Sequence, residues 1–362
     1  MSVSESSSRI DRLCRRALEG AALPEPELQA LLEARGDDVE AVYAAAREMR
    51  ARHWGDSIFL YGFVYFSTYC RNGCTFCLYR SGNAASARYR KTPEEVIAVC
   101  RDLAASGVVL IDLTMGEDPH IHDEPGYAGL LELVRAVGDD VRLPVMISPG
   151  VLPEEALGGL RRRGADWYAL YQEVHTPELY GRLRVGQPFA ARVAARGAAR
   201  RVGLLVEDGM LTGVGDTSRD RAHSIAEMRR EGCEQVRVMS FVPQTGTPLV
   251  ATAPSRDGAE LLSIAVMRLA MPERFIPASL DVAGIGGLER RLQAGANVVT
   301  SLVPPGRGFL GVSRAELGID EGERSVASVV PRLEALGLRP GSVQEYRSRL
   351  AALREGAGVA VL

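Results

Sequence analysis

A chain of 362 residues in which 46% of the side chains are hydrophobic and 25% are charged has the composition of a globular protein with one large or two average domains. Its formal net charge of -3 comes without a block of like charges, so we expect neither a nucleic-acid nor a membrane-surface partner. The N-terminal residues lack the apolar core of a signal peptide, and no apolar run approaches the roughly 20 residues of a membrane span, which predicts a cytoplasmic protein.

Apolar, β-rich segments alternate with helical stretches along the chain. Eight such segments are found, at 58–67, 108–115, 143–148, 167–173, 202–206, 235–242, 275–281 and 297–303. Their nearly continuous apolarity is typical of parallel strands that are covered on both faces. The pattern predicts an α/β protein with a (β/α)8 barrel over 55–304, a helical cap over 1–54 and a helical extension over 305–362 that packs on the barrel.

The clearest predicted helix follows the first strand. Thr92 stands at its N-cap, Pro93 at its first helical position, and Glu95 completes a capping box. Gly107 is placed to end the helix. Farther along, the glycine-rich stretch 208–215 is predicted to be the loop that leaves the fifth strand.

Three of the six cysteines stand within eight residues, with Cys70, Cys74 and Cys77 in the loop after the first strand. Iron–sulfur clusters are usually held by four thiolates. Three thiolates leave one iron of a 4Fe–4S cluster open, and that iron can chelate S-adenosylmethionine (SAM). A structural zinc site normally has four Cys or His ligands, and no His follows at finger spacing. The triplet, with Phe76 before its last cysteine, resembles the signature of the radical SAM superfamily, which implies a 4Fe–4S cluster and SAM as cofactors.

The resemblance extends beyond the triplet to the branch of that superfamily that contains biotin synthase and the hydrogenase maturases. Within this branch the chain resembles the methylornithine synthases. The matching segments run in order from about residue 55 to 305: VYFSTYC, DLTMGEDP, MISPG, ALYQE, LYGRLRVGQPF, VEDGMLTGVGD, VRVMSFVPQTGTPL, IPASLD and GANVVTSLVPP.

This resemblance implies a reaction that isomerises L-lysine to (3R)-3-methyl-D-ornithine, the first step of pyrrolysine biosynthesis. A 5′-deoxyadenosyl radical would abstract a hydrogen from lysine, and the carbon skeleton would then rearrange. The chemistry also implies an electron donor such as flavodoxin or ferredoxin, and we expect a monomer.

A lysine site needs a fixed cation for the carboxylate and at least two carboxylates for the ammonium groups. The resemblance assigns Arg237 to the substrate carboxylate, Asp112 and Asp281 to the ammonium groups, and Ser279 as a hydrogen-bonding neighbour. Each interrupts an apolar strand. The residues alone support two interpretations of these charged side chains equally well: structural ion pairs inside the mouth of the barrel, or a substrate pocket.

A second set of residues is assigned to SAM by resemblance. Arg192 follows Glu173 by nineteen residues, and it would bind the SAM carboxylate with Glu173 close to the positive charge of SAM. Glu117 lies in the element that takes the SAM amino group. Ser148 and Tyr171 would form part of the ribose and cofactor wall. A surface position for Arg192 is the alternative, because its helix carries several arginines.

Two other functions fit the cysteine triplet. A sulfur-inserting or maturation enzyme would need cysteines for a second cluster, but Cys14, Cys100 and Cys233 are scattered, and Cys14 and Cys100 lie on apolar helix faces. A non-catalytic iron–sulfur carrier would explain the triplet but not the buried charges on separate strands.

Overall fold

The computed structural model describes residues 8–253, 257–306 and 323–356. Within these ranges eight parallel strands form a barrel: β1 (Ser57–Ser67), β2 (Leu110–Met115), β3 (Val145–Ser148), β4 (Ala165–Ala169), β5 (Leu205–Thr212), β6 (Gln235–Ser240), β7 (Pro277–Ser279) and β8 (Val298–Leu302). Neighbouring strands pair in the order β6-β5-β4-β3-β2-β1-β8-β7. A parallel bridge from Gln235 to Phe275 joins β6 to the residues that precede β7. The barrel is therefore nearly closed, and the predicted (β/α)8 fold is confirmed.

Helices surround this barrel. In chain order they are α1 (Arg9–Leu18), α2 (Glu25–Leu32), α3 (Asp37–Trp54), α4 (Pro93–Ser106), α5 (Pro119–His122), α6 (Ala128–Val141), α7 (Glu154–Arg162), α8 (Pro177–Leu183), α9 (Phe189–Arg201), α10 (Ser218–Glu231), α11 (Asp257–Ala270), α12 (Leu288–Gln293), α13 (Val326–Ala335) and α14 (Val343–Gly356). None of the helices in the described ranges is both long and apolar enough to cross a membrane.

Helix α4 has the predicted ends. The Thr92 hydroxyl accepts a hydrogen bond from the Glu95 amide, the Glu95 carboxylate accepts one from the Thr92 amide, and Gly107 is left-handed at φ 99°. Cys100 on this helix and Cys14 on α1 are buried in the apolar core, as their positions on apolar helix faces predict.

The N-terminal end of the barrel is closed by the C-terminal part of the chain. The short strand β9 (Arg339–Pro340) pairs with the start of β1. Helix α14 then places Tyr346 below the barrel, where its hydroxyl lies 2.8 Å from that of Tyr61. Tyr61 in turn donates to Gln235 over 3.1 Å. With this end filled by side chains, the opposite, C-terminal end of the strands is left for chemistry.

The fifth strand differs from its prediction. It spans Leu205–Thr212, so residues 208–212 of the predicted loop belong to the barrel wall. The predicted strand ends at residue 206, just before the acidic residues Glu207 and Asp208, and both of these are fully buried. Arg237 compensates the charge of Glu207, and Arg196 compensates that of Asp208. Paired in this way, the two carboxylates can lie inside a core strand.

Parts of the predicted terminal segments lie outside the described residues. These parts are residues 1–7 of the predicted cap and residues 307–322 and 357–362 of the predicted extension.

Candidate active site

One cavity opens at the C-terminal ends of the strands. It is lined by eleven of the twelve residues assigned from the sequence: Cys70, Cys74, Cys77, Asp112, Glu117, Ser148, Tyr171, Glu173, Arg192, Arg237 and Asp281. The twelfth, Ser279, is buried behind the wall and donates to Asp281 over 3.2 Å. Residues that are far apart in sequence thus share one site because the ends of parallel strands meet at one end of a barrel.

The three cysteines face this cavity together. Burial, followed by the effect of the other two thiols, raises the pKa of Cys77 to about 12. Three thiols that line one cavity can supply three of the four thiolates that usually hold an iron–sulfur cluster.

The cysteine loop packs directly against the end of β2. A Cβ atom added at Gly116 would lie 2.8 Å from the Cβ of Cys70 and would also clash with the carbonyl oxygen of Tyr69. The amide of Arg71 donates to the carbonyl of Glu117 over 2.9 Å. Glycine is needed at 116 because these two segments approach so closely.

A pair of buried arginines stands between the cysteines and β4. Arg184 pairs with Glu173 at 2.7 Å, and its Nη1 lies 3.6 Å from the sulfur of Cys74. Arg192 donates from Nε and Nη2 to the carbonyl of Tyr171 at 3.0 and 2.8 Å. Burial and the neighbouring Arg184 lower the pKa of Arg192 to about 10. This crowding of positive charge favours an anionic ligand, such as the carboxylate of SAM.

The burial of Arg192 excludes the alternative of a surface arginine. Glu117 lies next to it, with a carboxylate oxygen 3.8 Å from Nη1 of Arg192. Glu117 also accepts from Arg71 and from the amide of Val151, each at 3.2 Å. Ser148 reaches the same cavity from the end of β3.

The other side of the cavity carries Arg237 and Asp112. Arg237 donates from Nε to Glu207 over 2.7 Å and from Nη1 to Thr300 over 3.3 Å. Its Nη2 is buried and has no hydrogen-bond partner among the described residues. Asp112 accepts from Thr114 over 3.0 Å. Burial, reinforced by the charge of Glu207, raises the pKa of Asp112 to about 7.

Asp281 already has a cationic partner. Its carboxylate pairs with Arg324 at 2.8 Å and accepts from Ser301 at 2.8 Å. Arg324 belongs to the segment after β8, so this part of the chain contributes a charge to the edge of the cavity.

Comparison with known proteins agrees with this geometry. The sequence model of the radical SAM superfamily matches residues 64–228. The 3-methylornithine synthase of Methanosarcina barkeri is 43% identical over 341 residues, which are 94% of this chain and 97% of that protein. This chain belongs to the 3-methylornithine synthase family.

One solved structure and one more distant relative are also similar to this chain. The crystal structure of methylornithine synthase (PylB) superimposes with a TM-score of 0.89 at 43% identity, over 93% of this chain and 99% of that one. The FeFe hydrogenase maturase subunit HydE of Thermotoga maritima is 28% identical over 86% of this chain and 90% of its own length. The resemblance inferred from the sequence is confirmed: the chain is a radical SAM enzyme whose cofactors are a 4Fe–4S cluster and SAM.

The residues of this family member fit those cofactors. Cys70, Cys74 and Cys77 would hold the cluster, and the arginine pair of Arg184 and Arg192 supplies positive charge beside it. In the described ranges, Cys14, Cys100 and Cys233 are buried away from this cavity and do not line it. The individual roles given to the twelve residues stay predictions.

Three charged residues at or behind the cavity were missed in the sequence: Arg184, Glu207 and Arg324. Arg184 lies within LYGRLRVGQPF, but the sequence gives no sign that it turns inward while Arg182 remains exposed. Glu207 was missed because it follows directly after the predicted fifth strand, 202–206, where no buried charge was expected. The apolar residues Met210 and Leu211 that follow it were the available signal, since an apolar run resuming after two acids favours a longer strand.

Proposed function

We propose that this enzyme converts L-lysine into (3R)-3-methyl-D-ornithine. With a cluster on the three cysteines and SAM bound beside it, the cofactors would supply a 5′-deoxyadenosyl radical that removes a hydrogen atom from lysine. The protein's part is to bind the amino acid in a fixed position next to SAM and to keep water away from the reacting carbon atoms.

The observation that carries this proposal is the buried carboxylate of Asp112. No cation forms an ion pair with it in the described part of the chain, although Arg237 is paired with Glu207 and Asp281 with Arg324. A buried carboxylate without a cation is costly. A ligand that brings one net positive charge removes this cost, and lysine is such a ligand.

The same contacts suggest how lysine is oriented. The open Nη2 of Arg237 is directed to the substrate carboxylate, where a guanidinium provides fixed donors. Asp112 then accepts from one ammonium group, and Asp281 lies at the edge of the cavity for the second. Arg192 and Glu117 remain on the side of the cysteines, for SAM.

Anaerobic incubation of the reconstituted enzyme with SAM, a reductant and 13C-labelled lysine tests the proposal. We expect labelled 3-methylornithine by mass spectrometry. Deoxyadenosine without altered lysine would preserve the radical SAM class and contradict the substrate. Transfer of cluster to an acceptor protein without cleavage of SAM would favour a carrier instead.

We further infer that a one-electron donor such as flavodoxin or ferredoxin docks beside the cysteine loop. Among the described residues, the large hydrophobic side chains that are exposed are Tyr69 (39%), Val185 (55%) and Val250 (49%). Tyr69 precedes Cys70, and the loops that carry the two valines meet at Thr75, whose backbone forms hydrogen bonds with Leu183 and Leu249.

Val185→Glu and Val250→Glu should slow turnover with flavodoxin and leave turnover with dithionite unchanged. If both variants kept the wild-type rate with flavodoxin as well as with dithionite, this docking site would be contradicted.

Six cysteines without a disulfide among the described residues support a reducing compartment, and we propose a cytoplasmic monomer. Light scattering of the anaerobic enzyme tests the monomer, and a dimer mass would contradict it.

A further inference from the structure

Glu207 is a fully buried carboxylate that touches the substrate-binding arginine without lining the cavity. One oxygen accepts from Nε of Arg237 at 2.7 Å, and the other accepts from the hydroxyl of Tyr171 at 3.1 Å. We propose that Glu207 is a positioning residue that determines specificity: through Arg237, it makes the site require an amino acid with two ammonium groups. This inference rests on the proposed function, because it takes Arg237 as the binder of the substrate carboxylate.

The geometry fixes Arg237 from two sides. Its guanidinium carbon lies 5.4 Å from the centre of the Tyr171 ring, and Glu207 holds Nε from behind. Gly209, two residues along the same face of β5, leaves the space for this arrangement, since a Cβ there would lie 3.1 Å from the Tyr171 ring and 3.2 Å from the Cβ of Arg237. Nη2 is consequently the nitrogen that stays open for a carboxylate.

The charges around the substrate space explain the specificity. Glu207 cancels the charge of Arg237, and Arg324 cancels that of Asp281, which leaves the ionised Asp112 unbalanced. Lysine brings one carboxylate and two ammonium groups, so its net charge balances Asp112. An amino acid with a single ammonium group leaves one buried negative charge without a partner, which is unfavourable in a low-dielectric site.

Without the negative charge of Glu207, the preference should invert. Arg237 would then already balance Asp112, and an amino acid with no net charge would leave the site neutral. Lysine would instead add one uncompensated positive charge. L-Norleucine is the matched probe, because it has the carbon skeleton of lysine and lacks only the side-chain ammonium group.

The test compares dissociation constants for L-lysine and L-norleucine at pH 8.5, where Asp112 is ionised, measured by calorimetry on anaerobic, reconstituted enzyme with SAM bound. In Glu207→Gln the amide oxygen keeps an acceptor for Arg237, the amide nitrogen can donate to the hydroxyl oxygen of Tyr171 in place of accepting from it, and the charge is removed. We expect lysine binding to weaken and norleucine binding to tighten, each by roughly tenfold or more. Glu207→Asp keeps the charge, so the ratio of the two constants should stay within about threefold of the wild type even if both change.

Glu234→Gln is the matched control. Glu234 is also a buried acid paired with an arginine, Arg200 at 2.6 Å, but it does not line the cavity. Its variant should leave the lysine-to-norleucine ratio unchanged. An unchanged ratio in Glu207→Gln, or equal losses for both ligands in Glu207→Gln and Glu207→Asp, would overturn the proposal and leave Glu207 a structural residue. If the wild-type enzyme itself neither binds nor converts lysine, it is the proposed function that fails.

Discussion

Glu207 and Asp208 are consecutive residues of β5, and they bind the same segment, residues 171–173, from opposite faces of the barrel wall. Glu207 accepts from the side chain of Tyr171, and Asp208 accepts from the amide of Gln172 at 2.7 Å. The segment continues to Glu173, a non-glycine residue in the left-handed region at φ 71°. The carbonyl of Tyr171 accepts from both Arg184 and Arg192, and the carboxylate of Glu173 accepts from Arg184, so the sides of the cavity proposed for SAM and for lysine share one support.

Replacing Asp208 by Asn should destabilise the barrel. Arg196 and His175 lower the pKa of Asp208 to about 2 although burial opposes ionisation, so the ionised form stabilises the fold above about pH 4 and loses this effect as the pH falls toward 2. At pH 7 we expect Asp208→Asn to lower the free energy of unfolding by about 3 kcal/mol, because Arg196 loses a buried partner.

Urea denaturation measures this change. Glu227→Gln is the control, since its pair with Arg230 lies on the surface and should contribute less than about 1 kcal/mol. Equal unfolding midpoints for Asp208→Asn and the wild type would show that the buried network does not stabilise the fold.

Lysine binding should depend on pH through Asp112. The pKa of about 7 lies well above the usual 3.8, chiefly through burial and then Glu207, while Arg237 and the Thr114 hydroxyl act in the opposite direction and Asp281 adds to the rise. An ammonium group binds the ionised form. Each pH unit below about 7 should therefore weaken binding about tenfold, with a plateau above about 7.

The same shift opposes folding as the pH rises. Asp112 is protonated more readily in the folded than in the unfolded chain, so its stabilising contribution is lost between about pH 4 and pH 7.

The pH dependence of lysine binding is tested by measuring the affinity for lysine from pH 5 to 8.5. Asp140→Asn, which alters an exposed ion pair with Arg101, should show the same pH dependence of lysine affinity as the wild type. A wild-type affinity that does not change with pH would rule out an ammonium contact at Asp112.

Arg184 should be needed for SAM, whereas its neighbour Arg182 should not. Arg184 is buried and paired with Glu173, but Arg182 is exposed at the end of α8. We expect Arg184→Gln to weaken SAM binding by roughly tenfold or more, since a buried carboxylate at Glu173 loses its partner. Arg182→Gln should bind SAM as the wild type does. Equilibrium dialysis of both variants decides, and equal constants would remove Arg184 from the SAM site.

The cluster should depend on three cysteines only. Cys70→Ala, Cys74→Ala or Cys77→Ala should lower the iron bound after reconstitution from about four atoms per chain to near zero. Cys100→Ala leaves a small core cavity but should retain the iron. Iron analysis with a thiol count makes the comparison. Iron lost from Cys100→Ala, or well above four atoms in the wild type, would indicate a second cluster.

The sequence predicts the barrel well because parallel strands covered on both faces require long apolar runs. The cysteine triplet is equally easy to recognise in the sequence, because its three ligands lie within eight residues. Glu207 and Arg184 were harder: the partner of Glu207 lies 30 residues away, and that of Arg184 lies 11 residues away across a loop. The sequence does not show that an acidic residue is buried in a strand when the cation that pairs with it is distant along the chain. Arg324 was missed for the same reason, because its partner Asp281 is 43 residues distant.

The most direct test of the account is hydrogen abstraction from lysine bound beside SAM. Lysine deuterated along its side chain would be incubated anaerobically with the reduced, reconstituted enzyme and SAM, and 5′-deoxyadenosine would be analysed by mass spectrometry. We expect deuterium in deoxyadenosine from the wild type and none from Asp112→Asn. Deoxyadenosine free of deuterium from the wild type, while SAM is still cleaved, would contradict lysine as the molecule that this cavity holds.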